Sequence, residues 1–173
     1  MKTGLLIRSL LSVFLLPVMV TAALPTYLIS TRGYAIGAGL SMPLNIIVAA
    51  IGVAIAAVGL ILAAGCMMRF FNDGDGTLAP WDPPRKLVVR GMYRYVRNPM
   101  ISGVLGIVLG ETIFFGSMPI LKWFVFFAMM NAIYMPLFEE PQLAERFGDD
   151  YRDYRRHVPR WIPRLTPWQP DAR

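Results

Sequence analysis

Residues 97–140 read RNPMISGVLGIVLGETIFFGSMPILKWFVFFAMMNAIYMPLFEE, and their pattern decides the fold. Arg97-Asn98-Pro99 opens the stretch and Glu139-Glu140 closes it. Between them, from Met100 to Phe138, only Glu111 and Lys122 carry charge. A helix needs roughly 20 apolar residues to cross about 30 Å of hydrocarbon. Ile120 to Phe138 nearly suffices. Met100 to Phe115 is shorter, so it must extend back toward Tyr95, dip into the interface, or sit where the bilayer thins. Gly116-Ser117-Met118-Pro119 reads as the tight turn between the two passes. A two-pass hairpin returns to the side it left. Arg97 and the two carboxylates therefore meet at one membrane face, an arrangement more typical of a site than of a solvated surface.

Working outward, two more segments qualify as spans: Ser9 to Ile29, with Pro17 and Pro25 as expected kinks, and Pro43 to Met68. The sequence thus predicts an all-α integral-membrane protein of about four transmembrane helices in two hairpins. It forms a single domain, residues 1–173. Residues 9–68 form the first hairpin, 69–99 a cytoplasmic linker and motif loop, 100–138 the second hairpin, and 139–173 an amphipathic C-terminal cap. Composition agrees: 55% of residues are hydrophobic and 16% charged, and mean hydropathy is +0.49, too apolar for an ordinary soluble domain. Lys2, Arg8 and the Leu10–Val20 run followed by Thr21-Ala22-Ala23 have the layout of a cleavable signal. The apolar residues continuing to Ile29 favour a retained span.

The net charge of +6 does not point to nucleic acid, because the basic residues flank apolar spans. An anionic membrane surface is the expected partner. With four spans, 15 of the 17 Lys and Arg residues fall on one side and only Arg32 and Lys122 on the other. That bias places both termini in the cytoplasm and the protein in the inner membrane. The lone cysteine, Cys66, excludes an intramolecular disulfide and a multi-cysteine metal site. Asp73-Gly74-Asp75-Gly76 lacks the full calcium-loop pattern and reads as a turn within the Asn72–Pro84 linker.

In the tail, Leu143, Phe147, Tyr151, Tyr154 and Val158 recur at spacings of 4, 4, 3 and 4, a helical stripe. Gly148 interrupts it, with Asp149 placed to cap a second helix. Trp161 and Trp168 suit interface anchoring. The tail is expected to fold back onto the cytoplasmic mouth.

Several residues carry candidate chemistry. Glu139 and Glu140 end the fourth span, where a helix dipole disfavours acids, and Pro141 biases Glu140 toward extended backbone. An arginine or a cationic ligand should compensate; the alternative is a pair of solvated acids. Arg97 and Asn98 precede the third helix, whose free N–H groups suit a carboxylate. The same cluster also reads as a positive-inside anchor. Gly103, Gly106 and Gly110 share one face, for helix packing or as a flat wall for a planar ligand. Glu111 is an acid inside an apolar span, facing a cavity, a partner or the far interface. His157, in a basic run, reads as a surface residue.

Taken in order, Gly91-Met92-Tyr93-Arg94-Tyr95-Val96-Arg97-Asn98-Pro99, the Gly103 span, Glu139-Glu140-Pro141-Gln142-Leu143, Phe147-Gly148, Tyr151, Tyr154 and Val158-Pro159-Arg160-Trp161-Ile162-Pro163 resemble the isoprenylcysteine carboxyl methyltransferase and phospholipid methyltransferase family. The resemblance covers about Gly76 to Pro163. It implies S-adenosylmethionine as methyl donor, in a pocket between the last two membrane helices and the folded-back tail, and a lipophilic acceptor entering from the bilayer. It implies cofactor contacts from Tyr93, Arg97, Asn98, Pro99, Gly103, Gly106, Glu139, Glu140, Tyr151 and Tyr154. Catalytic roles would fall to Arg97 and Glu140, and to Glu111 if the acceptor is an amine that must lose a proton. The reaction requires no metal. The family motif is often Arg-His-Pro; Asn98 replaces the histidine and cannot titrate. Two rivals predict different ligands. A sterol-type membrane reductase would take NADPH, and a membrane scaffold would take no cofactor.

Overall fold

The computed structural model describes residues 17–32, 36–73 and 87–169. Lys2, Arg8, the start of the Ser9–Ile29 span, most of the Asn72–Pro84 linker, Arg85, Lys86 and both chain ends lie outside the described residues. Within them, every regular element is helical. Helix α1 (Leu24–Arg32) continues from a π-helical turn, Met19–Ala23. A 3-10 turn, Ile36–Gly39, leads to α2 (Met42–Asp73). A second 3-10 turn, Gly91–Arg94, precedes α3 (Pro99–Phe115). Then come α4 (Met118–Tyr134), a π-helical turn at Met135–Glu139, and α5 (Glu140–His157). Two stretches, Met42–Arg69 and Met118–His157, are long and apolar enough to cross a membrane; Met19–Thr31 and Pro99–Phe115 are apolar but shorter.

The tightest pairing joins α2 to α3, and glycine makes it possible. A Cβ built on Gly59 would lie 2.5 Å from Gly103 O, and one on Gly110 would lie 2.5 Å from Gly52 O. Backbones this close leave no room for side chains. Since Gly52 meets Gly110 and Gly59 meets Gly103 and Gly106, the two helices run antiparallel. Of the two readings of this glycine face, helix packing is the one observed. Gly103 and Gly106 face α2, so the surface proposed as a wall for a planar ligand is already covered by a helix. The pairing also crosses the two hairpins read from the sequence. A second cluster, Val20, Val104, Val108, Ile120 and Phe127, ties the N-terminal segment to α3 and α4, and Trp123 Nε1 donates to Val20 O at 3.1 Å. Outward-facing Ile46, Ile47, Leu60 and Ile61 on α2, and Phe126, Met129 and Ile133 on α4, are exposed. A continuous apolar surface of this kind suits lipid, not water.

Both ends of α3 follow local rules. Pro99 takes the first helical position, where no backbone donor is missed. Gly116 adopts φ 55° and ψ 30°, stopping the helix at the expected turn.

The fourth helix behaves differently from its expectation. It does not end at Phe138, and Glu140 is not extended: its backbone is helical, φ −63° and ψ −38°, and Glu140 N–H bonds back to Met135 O. Pro136 and Pro141 each remove a helical donor and crowd a preceding carbonyl. The wider π turn absorbs that crowding, so the chain passes from α4 into α5 without stopping. α5 breaks where the glycine predicts, at Gly148 with φ 57° and ψ −130°.

Candidate functional site

Glu140 is the centre of the site. It is 2% exposed and carries a charge, so it needs close cations. Three arginines supply them. Arg97 Nη1 donates to Oε1 at 2.8 Å. Arg160 grips with both arms of its fork, Nε to Oε1 at 2.6 Å and Nη2 to Oε2 at 3.0 Å. Arg155 Nε stands 3.4 Å from Oε2. Charge-assisted, bidentate pairs of this kind are the strong ones. The hydrogen bond to Glu140, more than any other influence, strengthens the Arg160 cation and raises its pKa. The cation required near Glu140 is thus supplied from within the chain.

Separate parts of the chain converge to build this cluster. Arg97 lies between the 3-10 turn and α3, Glu140 and Arg155 are on α5, and Arg160 is in the tail. The tail is pinned along the motif loop. Arg97 N–H donates to Pro159 O at 2.9 Å, Arg164 N–H to Tyr95 O at 2.9 Å, and Trp168 N–H to Arg94 O at 2.9 Å. Arg94 Nε donates to Trp168 O at 2.8 Å, and Tyr154 Oη to Tyr93 O at 2.7 Å. Tyr151, Tyr154 and Val158 form the buried core beneath the tail, with Leu143, Phe147 and Trp168 packed on it. The helical stripe therefore faces the motif loop. Trp168 stacks on His157 at 5.5 Å and 9° and lies against Tyr154.

Most, but not all, of the predicted residues gather here. Tyr151 is buried and lies close enough to Glu140 and Arg97 to interact electrostatically with both. Tyr93 shares a hydrogen bond with Cys66 near the C-terminal end of α2, and burial raises its phenol pKa well above the ordinary value. Tyr93 and Tyr154 thus already have structural duties. Asn98 caps α3 through its backbone, accepting from Ser102 N–H at 3.0 Å, and its side chain makes no capping bond. Pro99 is buried. Glu139 is half-buried beside Glu140, with no ion pair among the described residues. Glu111 stands apart. It is twelve residues along α3 from Pro99, roughly 18 Å of helix, and its Oε2 is buried without a partner among the described residues.

Arg155 and Arg160 were missed in the sequence, where they read as two more tail cations. Their only signal is position: Arg160 directly follows Pro159, within the ordered string that carried the resemblance. Cys66 was missed as the partner of Tyr93 because 27 residues separate them. One buried donor of the cluster is without a partner. Arg97 Nε is buried with no partner among the described residues, although the side chain is only 10% exposed.

Comparison with known proteins follows the same division. A family model described as Phospholipid methyltransferase matches residues 44–150, which includes most of α2, the motif loop, α3, α4 and the first part of α5. Methanethiol S-methyltransferase 2 of Bradyrhizobium diazoefficiens is 35% identical over 77 residues. That match covers 43% of this chain and 27% of the relative, so it spans about a quarter of the relative's length. No solved structure gives a significant match.

Proposed function

From its place in the phospholipid methyltransferase family, to which this chain belongs, we propose that it transfers a methyl group from S-adenosylmethionine to a lipophilic or membrane-associated acceptor at the cytoplasmic membrane face. The observation that carries this reading is the Arg97–Glu140–Arg160 cluster. It joins the two motifs that bracket the second hairpin and leaves a buried cationic donor unsatisfied.

The donor set fits the cofactor. Three guanidiniums surround Glu140, with Glu139 as the one further acid beside it. The surplus of positive charge and the unpartnered Arg97 Nε suit a carboxylate. Glu139 is the acid left to meet an ammonium or a ribose hydroxyl, because both oxygens of Glu140 are taken by arginines. Asn98, whose side chain is free of the helix cap, can add a hydrogen bond. When bound, S-adenosylmethionine supplies an electrophilic methyl carbon, which bonds to the acceptor heteroatom as its bond to sulfur breaks.

The protein's part is orientation and exclusion of water. In-line displacement requires an approach of about 3 Å with aligned bonds. Arg97 is held at its backbone by Pro159 and at its side chain by Glu140, so it can fix one end of the donor. An anionic acceptor neutralises the sulfonium charge in the transition state, and a water-poor mouth favours that loss of charge. A thiolate or carboxylate acceptor needs no base. An amine must first lose its proton, and Glu111 is set too far along α3 to share the Arg97 cluster. The likeness to a methanethiol S-methyltransferase makes a thiol the first acceptor class to test.

The test is methyl transfer from labelled donor by the full chain in membranes, offered a small thiol, a lipid-linked carboxylate and phosphatidylethanolamine. Labelled product with any of them, and none without protein, is expected. Binding of NADPH in place of the adenosyl donor would overturn the reading in favour of a reductase.

A further inference from the structure

We propose that Arg160, in the C-terminal tail, is a positioning residue. It holds Glu140 so that Glu140 orients Arg97 toward the ligand carboxylate, and Glu140 itself touches no ligand. This rests on the methyl-donor reading above and assigns the parts of its site.

Three observations carry it. Glu140 is heavily engaged: Oε1 accepts from Arg97 and Arg160, and Oε2 accepts from Arg160 with Arg155 Nε 3.4 Å away. Little lone-pair capacity remains for a ligand ammonium or hydroxyl. Second, the fork of Arg160 is the only contact engaging both oxygens among the described residues, so it sets the plane of the carboxylate. An ion pair through one oxygen leaves that plane free to turn. Third, consecutive tail residues govern both ends of Arg97. Pro159 O accepts its backbone N–H, and Arg160 fixes the carboxylate that accepts from its Nη1. The Nε of Arg97 is buried and has no partner among the described residues. The tail therefore completes the anion-binding end of the site from outside the hairpin.

The experiment uses the full chain in detergent and two ligands that differ at one group. S-adenosylmethionine carries the carboxylate; its decarboxylated form keeps the sulfonium and the ammonium. Kd is measured by calorimetry for wild type, Arg160→Gln, Arg160→Lys and, as an exposed tail control, Arg156→Gln. Arg160→Gln is expected to weaken S-adenosylmethionine about tenfold or more while changing the decarboxylated ligand by less than about twofold. Arg160→Lys keeps the charge but not the fork, so it should show a smaller loss with the same ligand selectivity. If Arg160→Gln does not fold, Arg160→Lys is read by the same criterion. Equal weakening of both ligands, or no weakening of either, overturns the proposal while leaving the donor reading intact. Wild type that binds neither ligand removes the donor reading, and the proposal with it.

Discussion

At the residue scale, the chemistry rests on which donor or acceptor each charged group has already spent. Arg97 uses Nη1 on Glu140 and keeps Nε. A lysine there can make the ion pair but cannot also present a second, coplanar donor. Arg97→Lys is therefore expected to lose methyl transfer by about 10- to 100-fold, the equivalent of one charge-assisted hydrogen bond. Exposed Arg156→Lys should keep the wild-type rate in matched membranes. Equal rates would return Arg97 to a simple positive-inside anchor. Glu140 and Glu145 offer a second contrast. Glu140→Gln leaves three guanidiniums around a neutral amide in a buried place, and breaking such a group costs about 3–5 kcal/mol. Glu145 is exposed, and Glu145→Gln should change stability by no more than about 0.5 kcal/mol. Thermal unfolding in detergent, together with the Kd for S-adenosylmethionine, reads both. Matching values for the two variants would contradict the buried hub.

At the element scale, the glycines divide into those that set helix contact and those that do not. A Cβ on Gly103 would lie 2.7 Å from Gly59 O and 2.8 Å from Ala63 N, both backbone atoms that cannot swing aside. Gly103→Leu should force α2 and α3 apart and cost about 1–3 kcal/mol or more. Gly65 lies on the same α2 helix with nothing within 4 Å of a built Cβ. Gly65→Ala should be neutral or stabilise by up to about 1 kcal/mol through helix propensity. Unfolding of both variants in one detergent checks the pair, and equal tolerance would show that the helices do not meet at Gly103. The glycine spacing of 3 and 4 was legible in the sequence, but the occupant of that face was not. Periodicity identifies a face; it does not say whether a helix or a ligand covers it.

At the scale of the whole molecule, the tail and the membrane bundle form one unit. Three backbone hydrogen bonds and the Arg160 fork join residues 159–168 to the motif loop and α5. Ending the chain after Val158 should leave Glu140 without its bidentate partner and abolish S-adenosylmethionine binding. Ending it after Trp168 should leave Kd unchanged within about twofold, since all of these contacts remain. Retained binding in the shorter form would separate the tail from the site. The 15-to-2 division of basic residues further predicts both termini in the cytoplasm. Reporter fusions at Met1 and Arg173 check this, and reporters on opposite sides would mean an odd number of spans.

What the sequence determined by itself was whatever depends on composition and local rules. Apolar runs gave helices, Pro99 and Gly116 set the ends of α3, Gly148 broke α5, and the ordered motifs around Arg97 and Glu140 carried the family resemblance. The tertiary structure decided matters that depend on residues distant in the chain. It surrounded Glu140 with Arg97, Arg155 and Arg160. It closed the face of Gly103 and Gly106 with α2 and stacked Trp168 on His157. It also carried α4 through a π turn into α5, where Pro141 alone had suggested an extended break. The physical reason is the same in each case. A hydrogen bond, an ion pair or a packed face needs a partner, and here that partner lies tens of residues away, where neither periodicity nor local propensity can register it.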